Sequence, residues 1–136
     1  MIKIFTIGKT KESYFKRAIE EYLKRIKRFT KIEYEEVTRE SILKSLTQNN
    51  FIITLEIKGK QLSSEEFAEL LKKKEIEKPI AFYIGSEEGL PKEITAKANL
   101  GLSFSGMTFP HELARVMLLE QVYRALSINK NLPYHK

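Results

Sequence analysis

The chain has 136 residues, a length that fits one domain. It is 42% hydrophobic and 31% charged, with 24 basic against 18 acidic side chains, a net charge of +6 and a pI near 9.4. This composition excludes overall disorder, and the absence of cysteine excludes a disulfide scaffold, a zinc–thiolate site and a cysteine nucleophile.

No apolar run is long enough to span a bilayer. Met1 to Gly8 alternates like a strand and lacks a signal-peptide core, so the cytoplasm is the expected location. The positive balance suits a polyanionic partner, or equally a lysine-rich surface of the heat-tolerant kind.

Ile2 to Ile7 reads as a strand. Ser13 to Phe29 reads as an amphipathic helix, with apolar residues at three- and four-residue spacing. Ile32 to Val37 is a second strand, made edge-like by Glu33 and Glu35. Ser41 to Gln48 is a short helix, and Phe51 to Ile57 an interior strand. Lys58-Gly59-Lys60 reads as a turn. Ser63 and Glu66 form a capping box that opens a helix to about Lys74. Ile80 to Ile84 is a buried-type strand, Pro91 opens a helix to about Ala98, and Leu100 to Phe104 is a fifth strand. A long helix then runs to about Asn129. The fold class is therefore α/β, with a mostly parallel sheet flanked by helices.

Ligands in such sheets bind at the carboxyl ends of the strands, which points to the loops after Leu55, Ile84 and Phe104. Neither a dinucleotide-binding glycine fingerprint nor a P-loop is present. His111 and His135 lie too far apart for usual metal-ligand spacing, so no metal is expected. Gly85, at a strand end, lets a ligand approach the backbone or simply makes a turn. Ser105 to Pro110 offers backbone amides for the edge of an adenine, with Met107 and Phe109 to cover its face. Alternatively, Thr108 caps the last helix and Phe109 fills core.

The last helix is apolar around most of its girth, which fits either a symmetric homodimer or a helix central to one core. Glu120 and Arg124 are spaced to pair. In the tail, Tyr134 can stack on a base and His135 can move a proton, unless the terminus is disordered.

Four segments together carry a resemblance: Ile84-Gly85-Ser86-Glu87-Glu88-Gly89-Leu90, Leu102 to His111, Glu120 to Ala125, and Tyr134-His135-Lys136. In this order they resemble the bacterial RlmH family, SPOUT-class methyltransferases of large-subunit ribosomal RNA that act on N3 of a pseudouridine. Two departures are visible: Ser86 replaces a second glycine, and the stretch between the second and third strands is shorter. The resemblance covers the whole chain, 1–136, as one SPOUT domain. It implies a C-terminal trefoil knot and bound S-adenosylmethionine. It also implies a homodimer in which the tail of one subunit completes the other's site.

The positions matching the family's cofactor site are Leu55, Gly85, Phe104, Ser105, Gly106, Met107, Thr108 and Phe109. The expected catalytic residues are His135, which assists loss of the N3 proton, Tyr134, which packs on base or cofactor, and Arg124, which meets negative charge. Lys130 and Lys136 are expected to add RNA affinity, with the assembled ribosome as partner. The alternative class is a basic ribosome-binding module without catalysis.

Overall fold

A computed structural model describes all of residues 1–136. Five parallel strands form one sheet in the order β2-β1-β4-β3-β5: β1 (Ile2–Ile7), β2 (Ile32–Val37), β3 (Phe51–Gln61), β4 (Ile80–Ile84) and β5 (Leu100–Ser103). The helices are α1 (Ser13–Ile26), α2 (Ser64–Glu77), α3 (Lys92–Ala96) and α4 (His111–Asn129), with a 3-10 turn at Ser41–Ser45.

Period-two alternation divides the core between two faces. Ile80, Phe82 and Ile84 of β4 join Ile2, Ile4 and Ile53 on the face covered by α1, α2 and α4. Ala81 and Tyr83 point the other way, with Phe5, Ile7 and Ile52, beneath Ile42 and Ile94. β4 is central and buried throughout, while β2 lies at an edge, as its glutamates indicate.

Three elements differ from the sequence reading. α1 ends at Ile26 rather than Phe29, because the chain tightens into a turn (Phe29 N–H to the Ile26 carbonyl, 2.9 Å) to reach β2. The short helix after β2 is a 3-10 turn ending at Ser45. Lys58-Gly59-Lys60 is no turn: β3 continues to Gln61 and re-pairs with β5 after an irregular stretch beyond Leu55. A Cβ on Gly59 would lie 2.7 Å from the Gly101 carbonyl carbon, so this glycine serves a close backbone approach. The Ser63–Glu66 capping box is present, and α2 runs one turn beyond Lys74.

α4 lies on the sheet between α1 and α2, burying Leu118, Leu119, Val122, Ala125 and Leu126 within one chain. Much of its apolar girth is therefore satisfied without a second subunit. Its first turns are anchored by Arg115, which is 0% exposed. Arg115 Nη2 donates to the Ile7 carbonyl at 2.8 Å, and Nη1 donates to the Thr10 hydroxyl at 2.7 Å and faces Glu36 at 3.4 Å.

Candidate active site

The carboxyl ends of β3, β4 and β5 open into one cleft of about 500 Å³, closed on its remaining side by the start of α4. Leu55, Gly85, Phe104, Ser105, Met107, Thr108 and Phe109 all line it. Gly106 does not; it sits exposed at the loop tip, where an added Cβ would meet nothing within 4 Å. Short hydrogen bonds shape the loop. Ser103 Oγ donates to the Ser105 carbonyl at 2.9 Å, and Ser105 Oγ accepts from the Met107 amide at 3.1 Å. Met107 is left 74% exposed beside the cleft. Thr108 is exposed and caps nothing; Pro110 occupies the N-cap position of α4, without a side-chain cap.

Gly85 is required for a reason other than ligand approach. A Cβ there would lie 2.6 Å from the Gly89 carbonyl carbon and 2.9 Å from the Leu90 nitrogen. The loop closes on itself: Gly89, at φ +79°, donates its N–H to the Ser86 carbonyl at 2.9 Å. Arg39 Nη1 pins the same turn by donating to the Gly89 carbonyl at 2.9 Å. Ser86 bridges to Gly89, so its replacement of a glycine leaves the turn closed.

The ionisable residues of the cleft are Glu56, Glu87 and His111, with no lysine or arginine. Sequence reasoning missed Glu56 and His111 as wall residues. Glu56 directly follows Leu55 and accepts from the Thr54 hydroxyl at 2.5 Å. His111 opens α4; weighing it only as a metal ligand hid its position at the site.

The expected catalytic residues gather elsewhere. The tail folds back on α4 of its own chain. Glu120 Oε2 accepts from Arg124 Nη2 and from the Tyr134 hydroxyl, each at 2.7 Å. The Arg124 guanidinium lies 4.8 Å over the Tyr134 ring, which meets Tyr123 edge-on at 4.6 Å. Burial, then donation to the Glu120 carboxylate, pushes the Tyr134 phenol well above its ordinary range.

Arg124 Nη1 stands 3.0 Å from His135 Nδ1, and His135 Nε2 stands 3.1 Å from Glu65 Oε1. Since arginine only donates, Nδ1 accepts and the proton sits on Nε2, donating to Glu65. The ring's acceptor nitrogen is thus occupied in this arrangement. Arg124 is thirteen residues along α4 from His111, about 20 Å at 1.5 Å per residue. The tail cluster lies outside the cleft, and a second pocket lined by Phe104 and Glu120 adjoins both.

Comparison with known proteins fits this geometry. The family model for SPOUT methyltransferases, described as "Predicted SPOUT methyltransferase", matches residues 1–135. Proteins named "Ribosomal RNA large subunit methyltransferase H" are similar along their whole length. That of Caldicellulosiruptor saccharolyticus is 44% identical, with 100% of each chain covered. That of Clostridium botulinum, strain Loch Maree, is 43% identical, with 99% of each covered. The first alignment spans 154 positions against 136 residues here, in keeping with a shortened chain.

Two solved structures share the fold at low identity. A probable methylase family protein from Haemophilus influenzae has a TM-score of 0.63 at 13% identity, covering 99% of this chain and 70% of that one. The A. aeolicus TrmH/SpoU tRNA modifying enzyme has 0.55 at 12%, covering 99% and 81%. No helix of this chain is long and apolar enough to cross a membrane. By its family match and its full-length relatives, the chain belongs to the SPOUT methyltransferases, enzymes that draw on a methyl donor.

Proposed function

We propose that this chain transfers a methyl group from S-adenosylmethionine to N3 of a pseudouridine in large-subunit ribosomal RNA. It works on the assembled particle in the cytoplasm, as a homodimer of single-domain 1–136 chains whose C-terminal segment threads a trefoil. The supporting observation is the convergence of three strand-end loops on one cleft whose charged groups are carboxylates.

That lining fits the donor. Leu55, Ile84, Leu102, Phe104 and Phe109 offer apolar surface for an adenosyl group, and Glu56 and Glu87 suit its positive charges. When bound, S-adenosylmethionine supplies an electrophilic methyl group on a sulfonium. The Ser105–Phe109 backbone would hold the adenine edge and Met107 would cover its face, with Gly106 keeping the loop tip open.

His135 of the partner subunit takes the N3 proton after releasing Arg124. Tyr134 of the partner subunit packs on the base. Arg124 of the partner subunit, held in place by Glu120, meets the developing negative charge. The tail comes from a second copy, paired by two-fold symmetry; the roughly 20 Å of α4 between His111 and Arg124 supports this reading.

The test is a thermal-shift titration with S-adenosylmethionine and S-adenosylhomocysteine, joined to mass spectrometry of rRNA from large subunits incubated with the protein. Both ligands should raise the melting temperature by mass action, and one pseudouridine should gain a methyl. No shift with either ligand, together with salt-sensitive particle binding, would identify a non-catalytic RNA-binding module instead.

A further inference from the structure

The net charge of this protein is concentrated in one segment. Residues 11–31 hold eight of the 24 cations and three of the 18 acids, a net +5 out of the chain's +6. Between Lys24 and Lys31 there are five cations and no acid. Arg25 is committed within the fold: it pairs with Glu21 at 2.8 Å and lies over the Tyr22 and Tyr123 rings at 5.3 and 5.6 Å. Lys16, Arg17, Lys24, Lys27, Arg28 and Lys31 are all exposed and take part in none of the chain's ion pairs.

Helix electrostatics account for only part of this placement. A helix favours acids in its first turn and bases in its last. α2 obeys, with Glu65 and Glu66 at its start and Lys74 at its end. α1 has no acid in its first turn, and Lys16 and Arg17 lie in its first two turns. Lys27, Arg28 and Lys31 lie beyond its last residue. Lys24 in the last turn and Lys27 at the C-cap sit where the dipole favours them, whereas Lys16 and Arg17 do not; all four are unpaired and face out, which suits an anion that is not part of this chain.

The patch also borders the tail cluster. Tyr22 and Phe29 pack on Tyr123 at 6.3 and 5.9 Å, and Tyr123 touches Tyr134. From Lys16 to Lys27 it runs roughly 17 Å along the helix, and Tyr14, 55% exposed, adds an aromatic face at its start. We infer that the outward face of α1 and the turn after it form the surface that grips the phosphate backbone of the RNA, delivering the target base beside Arg124, Tyr134 and His135. This rests on the proposed action on ribosomal RNA.

The experiment compares two four-charge variants with wild type for binding to unmethylated large ribosomal subunits across a salt series. One carries Lys16→Gln, Arg17→Gln, Lys24→Gln and Lys27→Gln. The other, a control of equal net charge, carries Lys44→Gln, Lys72→Gln, Lys73→Gln and Lys92→Gln, all at exposed positions. The α1 variant should lower the log–log salt slope by about 3, at 0.7–0.9 per phosphate contact. It should raise KM for the particle at least about tenfold, with affinity for S-adenosylmethionine unchanged. The double variant Lys24→Gln/Lys27→Gln should lower the slope by about 1.5. An unchanged slope, or an equal loss in the control, overturns the inference. Failure of the wild-type protein to bind S-adenosylmethionine would instead overturn the functional reading beneath it.

Discussion

The two ends of α4 carry opposite chemistry. At its N-terminal end, a cleft of apolar walls holds Glu56 and Glu87 and no lysine or arginine. At its C-terminal end, Arg124 and His135 stand near the segment 11–31, which carries a net +5 of the chain's +6. One end suits a cationic donor and the other a polyanionic acceptor, with about 20 Å of helix between them. On the proposed reading, the difference makes each protomer the bearer of two half-sites. Two-fold pairing with α4 reversed is the simplest operation that brings unlike ends together.

The largest effect should come from cutting one half away. Removing Tyr134–Lys136 should lower methyl transfer by about a thousandfold or more, the scale of a lost acid–base group with its positioning contacts. Affinity for S-adenosylmethionine should stay within about twofold, because the tail touches nothing in the cleft of its own chain. Thr108→Trp, at an exposed position that lines the cleft, should do the reverse, folding normally while blocking donor uptake by calorimetry. Mixing the two inactive chains should restore about a quarter of wild-type activity. Half the dimers would then be mixed, each with one complete site. No recovery on mixing, with dimers confirmed by light scattering, would return both half-sites to a single chain.

A second test asks whether the cleft end of α4 has its own anchor. Arg115→Met leaves Glu36 without its cation and removes donors to Thr10 and the Ile7 carbonyl. Glu36 is exposed, so the cost comes from the buried Ile7 carbonyl and Thr10 hydroxyl left without their donor, about 2–3 kcal/mol in urea unfolding. Hydrogen exchange should quicken at the first turns of α4 before it does at Tyr123–Asn129. A loss under about 1 kcal/mol, or uniform quickening along the helix, would show that the helix is held as one piece.

Sequence alone carried much of this layout, for identifiable reasons. The unbroken apolar run Ile80–Ile84 and the glutamates of β2 reported burial directly, because local polarity tracks exposure. The Ser63–Glu66 box is equally local. The contribution of Lys58–Lys60 to β3 was not legible, because it depends on Gly59 meeting Gly101, 42 residues away. Gly85 drew attention as a ligand contact, whereas its constraint comes from Gly89 folding over it. Seven of the eight positions expected to meet the donor line one cleft. The occupied state of His135 was hidden, since Glu65 reaches it from another helix.

The smallest effect concerns pH, and it separates the two ends again. Burial raises the Glu36 carboxyl, but the Thr10 hydroxyl and amide, the Tyr34 hydroxyl and the Arg115 charge outweigh it and hold the group below its ordinary 4.5. A carboxyl lowered by folding contributes stability above its unfolded pKa and loses it as pH falls through the folded value. The anchor of the cleft end should therefore be fully effective above about pH 5 and weaken progressively below about pH 4.5. Glu36→Gln cannot ionise, so its urea midpoint should trail wild type most at neutral pH, with the gap narrowing on acidification. A gap of constant size from pH 7 to pH 4 would show that Glu36 acts through shape and hydrogen bonding alone. The cleft end would then owe nothing to the charge that Arg115 and Thr10 are arranged around.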